Sequence, residues 1–440
     1  MAFVSCVAGM QAQIGTRFPS EKKIVIDSVT GTKLVFLTSK SGTGDSKIYQ
    51  THNQWTADGK WVIFRSDRVR GEAMAVNEET GIIVQVSEGG FTGMLNVGRK
   101  NMKLCFMRNV ATEGEKDFRK WKVSVVEVDL EKLFKDSEAG TLKGKDAYER
   151  ICGTPPDSIG AGGDMALDAD ETRVYFREGK EEAARHLPPG TKLEENFGPR
   201  NMGAGPSGIG CMDLRTGKVS HVISVPFQIG HIQTNPWVAG EIVFCWETGG
   251  KAPQRTWTVL ADGSGLRPLY VEADYDWVTH EAVITKDEVA IAVLGHRPIA
   301  TGGNYGSEAK DPLNPGQEPG WGKSGTREHA TGLGIVNLRT HEFTMAGQIP
   351  YGSGFWHVNG SGDGKWAVGD NFAREIYLID RHNSEMILLS AGHKTTARDH
   401  PHPTFSPDNT KIEIQSAMLS EDGKSLNICI IHIPDALLKR

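Results

Sequence analysis

Histidines are the residues of this sequence whose spacing most directly suggests chemistry. His400 and His402 are separated by one proline, and residues i and i+2 of an extended strand project to the same side. Neutral imidazole is the commonest metal ligand, and His280 would complete a three-histidine face with open positions for a substrate oxygen. This set is typical of a catalytic metal. The alternative for any one histidine is that it only caps a turn.

A repeated segment contains most of these histidines. It consists of a polar entry residue, a turn with Asp or Gly, and a short apolar strand; in three copies a histidine precedes the turn aspartate by six positions. Each copy is followed by a strand that ends in an Asx-type turn, as at 212–217. Seven copies begin at His52, Met94, Asp164, His231, His280, His357 and His402.

Short strands between Gly, Asn and Asp turns, in seven copies, predict an all-β fold, a seven-bladed β-propeller. The entry to each innermost strand of a propeller faces the central channel. Five blades would therefore present histidine at a single mouth. The strand at 33–37 would supply the outer strand of the last blade and close the ring, and loop insertions are expected at about 107–160, 178–207 and 298–330.

One propeller domain is expected over residues 21–440. Residues 1–20 are apolar and rich in small residues at their start, which predicts a signal remnant or a disordered N-terminus. We therefore expect a periplasmic or secreted protein, with the cytoplasm as the alternative. The only helices expected are short, at 129–136 and 181–185.

Composition excludes several classes of partner. The 440 residues carry a formal net charge of −6, so no global positive field attracts nucleic acid or an anionic membrane. No apolar run is long enough for a membrane span. The six cysteines are scattered without a CxxC pair. An acidic substrate would therefore have to meet a local cluster of cations.

Several motifs resemble those of oligogalacturonate lyases. They include Gly230-His231, Thr279-His280-Glu281 and the His400-Pro401-His402-Pro403-Thr404-Phe405-Ser406-Pro407 run. Supporting matches lie in order along most of the chain, at 27–31, 213–218, 244–245 and 255–257, and at His357 with 368–370.

The resemblance implies a fold, an activity and a ligand set. Members of that family are seven-bladed propellers that bind Mn(II) or a similar ion, such as zinc or calcium, and cleave short pectic uronides by β-elimination. His280, His400 and His402 would be the metal ligands, and His231 would face the substrate. The expected activity is a carbon–oxygen lyase that degrades acidic oligosaccharides such as those of pectin.

Three positions depart from the family pattern. Ala397 stands where the family has a glutamine ligand, Trp237 where it has an arginine, and Trp246 where it has a histidine. Water or a neighbouring side chain would replace the glutamine. The two tryptophans suggest a differently shaped, stacking sugar site, and they leave the identity of the uronic acid open.

β-Elimination requires a base near C5 and cations near the C6 carboxylate. His231 is the expected base, with His52 and His357 as rim groups that serve as acid, base or hydroxyl ligand. Arg65 and Arg255 are the expected carboxylate-binding residues, and Arg297 is a weaker candidate.

Two other classes of function remain open from the sequence. A non-catalytic propeller that binds glycans or proteins would explain the departures from the family, since a fold alone does not prove chemistry. A glycoside hydrolase would require paired carboxylates, and only Glu247 and Glu281 lie next to the proposed site.

Overall fold

The computed structural model describes residues 12–40, 42, 44–110, 122–196, 202–248, 252–273, 276–296, 331–348 and 354–440. These residues form seven antiparallel sheets arranged as the blades of a β-propeller. The fold class predicted from the repeat is confirmed.

The blades follow one another along the chain. The first fifteen strands are β1 (Arg17–Phe18), β2 (Lys23–Ile26), β3 (Lys33–Phe36), β4 (Asp45–Lys47), β5 (Trp61–Ser66), β6 (Glu72–Asn77), β7 (Ile83–Gln85), β8 (Thr92–Val97), β9 (Lys103–Val110), β10 (Lys122–Asp129), β11 (Glu149–Gly153), β12 (Met165–Leu167), β13 (Arg173–Glu178), β14 (Ala204–Asp213) and β15 (Val219–Phe227). Blades 1, 2 and 3 are β4–β7, β8–β11 and β12–β15.

The remaining strands build the other four blades. They are β16 (Ile229–Thr234), β17 (Glu241–Trp246), β18 (Thr256–Leu260), β19 (Arg267–Pro268), β20 (Asp276–Thr285), β21 (Glu288–His296), β22 (Thr331–Asn337), β23 (Phe343–Gln348), β24 (Phe355–Gly360), β25 (Trp366–Asn371), β26 (Ile376–Asp380), β27 (Met386–Ser390), β28 (Thr404–Phe405), β29 (Lys411–Ser416) and β30 (Asn427–His432). Blades 4, 5 and 6 are β16–β19, β20–β23 and β24–β27.

Blade 7 joins the two ends of the described chain. β3 pairs antiparallel with β30, in the register Val35 with Ile430, and β2 lies outside it. The ring is thus closed by N-terminal strands, as predicted. β1 adds a fifth strand to blade 1. Ile14 is fully buried, so the packed part of the chain begins before residue 21, where the sequence placed the start of the domain.

Alternating side chains of each strand are buried against two different neighbouring blades. On β5, Ile63 packs into the apolar cluster shared with blade 2, whereas Val62 and Phe64 pack into the cluster shared with blade 7. Equivalent clusters lie at the other five blade interfaces. This two-sided burial explains why the strands read as short, continuous apolar runs rather than as alternating patterns.

The predicted Asx turns connect strands at the outer side of the repeats. Asp213 accepts hydrogen bonds from the backbone N–H groups of Arg215 (3.0 Å) and Thr216 (2.7 Å), and Gly217 follows with a φ of 70°. A glycine tolerates this left-handed backbone, which an ordinary side chain rarely adopts. The turn therefore fixes the register of β14 and β15.

The expected helices lie within the insertions. α1 (Leu130–Ala139) begins after Asp129, which caps the backbone N–H of Lys132, and α2 (Lys180–His186) follows β13. A third helix, α3 (Asp435–Leu438), follows β30. The insertion expected at 298–330, the candidate Arg297, and residues 1–11 of the expected signal remnant lie outside the described residues. Among the helices that the structure describes, none combines the length and apolar character needed to cross a membrane.

Candidate functional site

The predicted mouth is built from the starts of the innermost strands. Register shifts on these strands fall at the histidine positions: between Gly230 and Gln233 on β16, between Val278 and Glu281 on β20, and between Phe355 and His357 on β24. A β-bulge re-aims a side chain out of the regular pleat. The bulges therefore present the imidazoles toward the channel instead of into the blade interfaces.

Two of the histidines also have unusual backbones. His231 has a φ of 50° and His402 a φ of 53°, in the left-handed region that non-glycine residues rarely occupy. Such strain costs of order 1–3 kcal/mol and persists where surrounding structure enforces it, commonly at functional sites. His231 lies on β16, and His402 lies two residues before β28.

His357 is the centre of a group of four imidazoles. Its ring centroid lies 3.7 Å from that of His402, 4.4 Å from that of His280 and 5.4 Å from that of His400. The three predicted metal ligands, which come from blade 5 and from the segment that enters blade 7, thus each lie near His357, and the ligand atoms of His357, Asp370 and His400 lie within 4.8 Å of one another. Trp356 packs against the same group, 4.7 Å from His280 and 6.0 Å from His400.

Asp370 fixes the orientation of two of these rings. Its Oδ2 lies 3.2 Å from Nδ1 of His400 and 3.4 Å from Nδ1 of His357, and its Oδ1 accepts the backbone N–H of His357 at 2.7 Å. A carboxylate that accepts Nδ1–H leaves Nε2 with its lone pair, which is how ligand histidines are commonly oriented. The adjacent imidazoles hold the pKa of Asp370 below its usual range despite the burial of the carboxyl.

Burial keeps three of the four imidazoles, those of His280, His357 and His402, neutral. Burial, reinforced by the neighbouring imidazole of His402, lowers the pKa of His357 to about 3, and burial also lowers the pKa values of His280 and His402. Among the described residues, Nδ1 of His280 and Nε2 of His402 are buried without a hydrogen-bond partner. Neutral, unpartnered imidazole nitrogens are the donors that a divalent transition ion takes, so the residues fit such an ion.

A second group surrounds His231. Its Nδ1 lies 2.8 Å from Oε1 of Glu281, and its Nε2 lies 3.4 Å from Oε2 of Glu247. Burial alone would lower the pKa of His231, but Glu281 and Glu247 outweigh it and raise the pKa. Arg255 donates from Nε to the other Glu281 oxygen at 2.9 Å, which locks that carboxylate behind the imidazole. The side chains of His231, Cys245 and Glu247 also lie close enough to share an ion.

Tyr49 joins the two groups and was not identified from the sequence. Its ring centroid lies 5.1 Å from those of both His231 and His402, 5.9 Å from that of His357 and 6.4 Å from that of His280. Tyr49 belongs to the segment between β4 and β5, where the repeat pattern marks only His52. The only feature of the sequence that could have pointed to Tyr49 is its position three residues before His52, where the repeat begins.

The structure places three predicted sugar-contacting residues elsewhere. Trp246 is buried in the interface of blades 3 and 4, where Nε1 donates to the carbonyl of Gly203. Trp237 is 40% exposed and lines a cavity of about 320 Å³ at the end of the channel where the inner strands stop. Arg255 is only 1% exposed and lies behind His231. Successive side chains of a strand point to opposite faces. Cys245 and Glu247 lie beside His231, so Trp246 between them points into the blade interface.

Of two further predicted site residues, His52 makes structural contacts, whereas Arg65 keeps a nitrogen that could bind a substrate. Both ring nitrogens of His52 are engaged, by the Thr51 hydroxyl (2.7 Å) and the Met165 carbonyl (2.9 Å), so this residue ties blade 1 to blade 3. Arg65 donates from Nη2 to the Lys47 carbonyl, and its Nε has no partner among the described residues. The guanidinium of Arg65 and the carboxylate of Asp399, near the four imidazoles, attract each other electrostatically. Arg65 therefore remains a candidate for a substrate carboxylate.

Ala397 does not face the imidazole group. It is buried in a small apolar cluster with Ala417 and Leu426. The family position of the glutamine ligand therefore contributes no donor atom here. Water or another residue would have to supply that ligand.

Known proteins resemble the chain over nearly its whole length. No protein-family model matches it. Oligogalacturonate lyase of Dickeya dadantii (strain 3937) is 22% identical over 456 residues, which cover 93% of this chain and 96% of that protein. The resemblance read from the motifs is confirmed at this level.

Two solved structures share the propeller. An oligogalacturonate lyase in complex with manganese has a TM-score of 0.70 at 16% identity, with 97% of this chain and all of that chain covered. The oligogalacturonate lyase of Vibrio parahaemolyticus has a TM-score of 0.68 at 19% identity, with the same coverage. At these identities the likeness establishes the fold, and the distant relationship supports a lyase-like propeller.

Proposed function

We propose that this protein is a metal-dependent lyase that cleaves oligosaccharides containing uronic acid by β-elimination to 4,5-unsaturated products. The observation that carries the proposal is the convergence of His280, His357, His400 and His402, from three blades, beside the carboxylate-bound imidazole of His231. Such a group of imidazoles has little use in a structural channel lining, and it fits a catalytic ion.

His280, His400 and His402 would hold the ion, and Asp370 would orient His400. Mn(II) is the favoured ion because a relative has been solved in complex with manganese. When bound, such an ion supplies a Lewis acid that polarises the uronate carboxylate and makes the C5 proton more acidic. Imidazole ligands also suit zinc, so the metal assay includes it.

His231 is the proposed base. Glu281 holds its Nδ1, so Nε2 is the nitrogen left for the C5 proton. The electron pair of the broken C5–H bond forms the C4–C5 double bond, the C4–O bond breaks, and the departing oxygen takes up a proton from solvent. Carboxylates at both ring nitrogens stabilise the imidazolium that forms, which makes His231 a stronger base.

Arg65 would bind the uronate carboxylate. Its guanidinium has an unpartnered Nε and lies near the imidazole group, and a guanidinium binds a carboxylate through two parallel hydrogen bonds. Arg255 donates to Glu281 and would position that carboxylate behind His231. Trp356, which packs on His280 and His400, is the aromatic residue best placed to contact a sugar ring.

The test is direct. The protein is incubated with oligogalacturonates and other uronides, with Mn(II), with Zn(II) or with a chelator, and absorbance of the unsaturated product is followed in the ultraviolet. A metal-dependent increase with any uronide is expected. If no uronide gives one, the lyase is excluded and the glycan-binding alternative is left.

A further inference from the structure

An unusual contact joins His402 to Asp399. Nε2 of His402 lies 3.1 Å from Oδ1 of Asp399, yet the two atoms are not aligned for a hydrogen bond and the nitrogen has no such partner among the described residues. The other ring nitrogen, Nδ1, lies 3.1 Å from Oε1 of Gln50. An amide oxygen only accepts, so this contact places the proton of the neutral imidazole on Nδ1.

The tautomer leaves two acceptors facing each other. With the proton on Nδ1, the lone pair of His402 Nε2 and the negative charge of the Asp399 carboxylate repel at 3.1 Å. A cation between them would remove this repulsion. Ligand atoms about 2.1 Å from one ion lie roughly 3 Å apart when they bind at right angles, which is the spacing observed here.

Asp399 is held in place for such a role. Its Oδ1 accepts the backbone N–H of His400 at 2.8 Å, and its Oδ2 accepts Nε2 of Gln415 at 3.1 Å. Arg374 anchors the backbone carbonyl of Asp399. About half of the carboxylate side chain is exposed, so an ion can approach it from solvent.

Asp370 cannot supply the same ligand without losing its present contacts. Its Oδ2 lies within hydrogen-bond distance of Nδ1 of both His357 and His400, and its Oδ1 accepts a backbone N–H, so it serves to orient the rings. Ala397 offers no donor and packs into an apolar cluster. Of these residues, Asp399 alone combines a preorganised oxygen with a facing, unpartnered imidazole nitrogen.

We propose that Asp399 is a ligand of the same divalent ion as His402, in place of the amide ligand that the resemblance implies at position 397. The inference rests on the metal-dependent function proposed above. A carboxylate lowers the net charge of the loaded site by one relative to an amide, and it shifts the donor set from three imidazoles and an amide to three imidazoles and an anionic oxygen. Such a set favours ions that accept hard oxygen ligands.

The test compares Mn(II) affinity by titration calorimetry for the wild type, Asp399→Asn and Asp67→Asn. Asp67 is an exposed carboxylate whose contact with Arg398 is long, at 4.0 Å, so it controls for the loss of one surface charge. We expect Asp399→Asn to weaken binding at least tenfold and Asp67→Asn to change it less than twofold. Equal weakening by both variants, or none by Asp399→Asn, overturns the assignment.

A second measurement needs no variant. Crystals of the wild type soaked with Mn(II) should show an anomalous peak within about 2.5 Å of Oδ1 of Asp399. A peak on the imidazoles that lies more than about 4 Å from this oxygen overturns the ligand assignment and leaves the lyase proposal intact. A wild type that binds no divalent ion by either method overturns both.

Discussion

The carboxylate of Glu247 should control the pH at which His231 acts as a base. Glu247→Gln removes a negative charge 3.4 Å from Nε2 of His231 and keeps the size of the side chain. A carboxylate stabilises the protonated imidazole, so its removal lowers the pKa of His231, which Glu281 and Glu247 now raise. A base acts in its neutral form, and the rising limb of kcat/KM should therefore move to lower pH.

The size of the shift follows from the geometry. An opposite charge within about 4–6 Å shifts a pKa by about 1–3 units. Glu281 lies closer, at 2.8 Å, and remains in the variant, while Arg255 already opposes the protonation of His231. The low end of the range applies, so we expect a downward shift of about one unit, equivalent to about 1.4 kcal/mol between the two protonation states.

The assay is the pH dependence of kcat/KM for product formation at saturating metal. Glu79→Gln removes an exposed carboxylate from the turn after β6 and should leave the profile unchanged. Melting temperatures establish that both variants are folded. A limb that stays in place in Glu247→Gln, or moves to higher pH, would show that His231 is not the base.

Three further results are expected. Trp237→Ala should leave kcat and KM unchanged, because Trp237 lines the cavity at the far end of the channel; a raised KM would place the sugar there. His52→Ala should lower the melting temperature through loss of about 1–3 kcal/mol while kcat is retained, because both ring nitrogens hold neighbouring backbone or hydroxyl groups. Burial lowers the pKa of His393 to about 4, so below pH 6.5 the unfolded chain binds a proton that the native state excludes. The free energy of unfolding should therefore fall as the pH is lowered toward 4, by about 1.4 kcal/mol per pH unit from this residue. His393→Gln should reduce this pH dependence in melting experiments at acid pH.

The ring of histidines was predictable because the repeat fixes both the strand and its entry. A histidine six residues before the turn aspartate marks the same point of different blades, at His52, His357 and His402. Six of the seven inner strands contain the start of the repeat or begin within two residues of it, whereas β4 ends five residues before His52; the ring closes through β3. Local turn chemistry and apolar runs carry this information, and they do not depend on how the blades meet.

The orientation of individual side chains was not predictable from the repeat. The bulges at His231, His280 and His357 change which residues face the channel, and a shift of one residue reverses the face. For the same reason Trp246 lies in a blade interface. Tyr49 stands outside the repeat, so only the assembled ring shows that it touches four imidazoles.

Both carboxylates beside the site contact the imidazole of His231. Glu281 is fully buried, and its oxygens are taken by His231 and Arg255. Glu247 faces the other nitrogen of His231. A glycoside hydrolase needs an acid and a base or nucleophile that flank the scissile bond from opposite sides, and a buried, ion-paired Glu281 cannot do so. Carboxylates that clamp one imidazole strengthen a single base, which is the requirement of proton abstraction from C5 and not of hydrolysis.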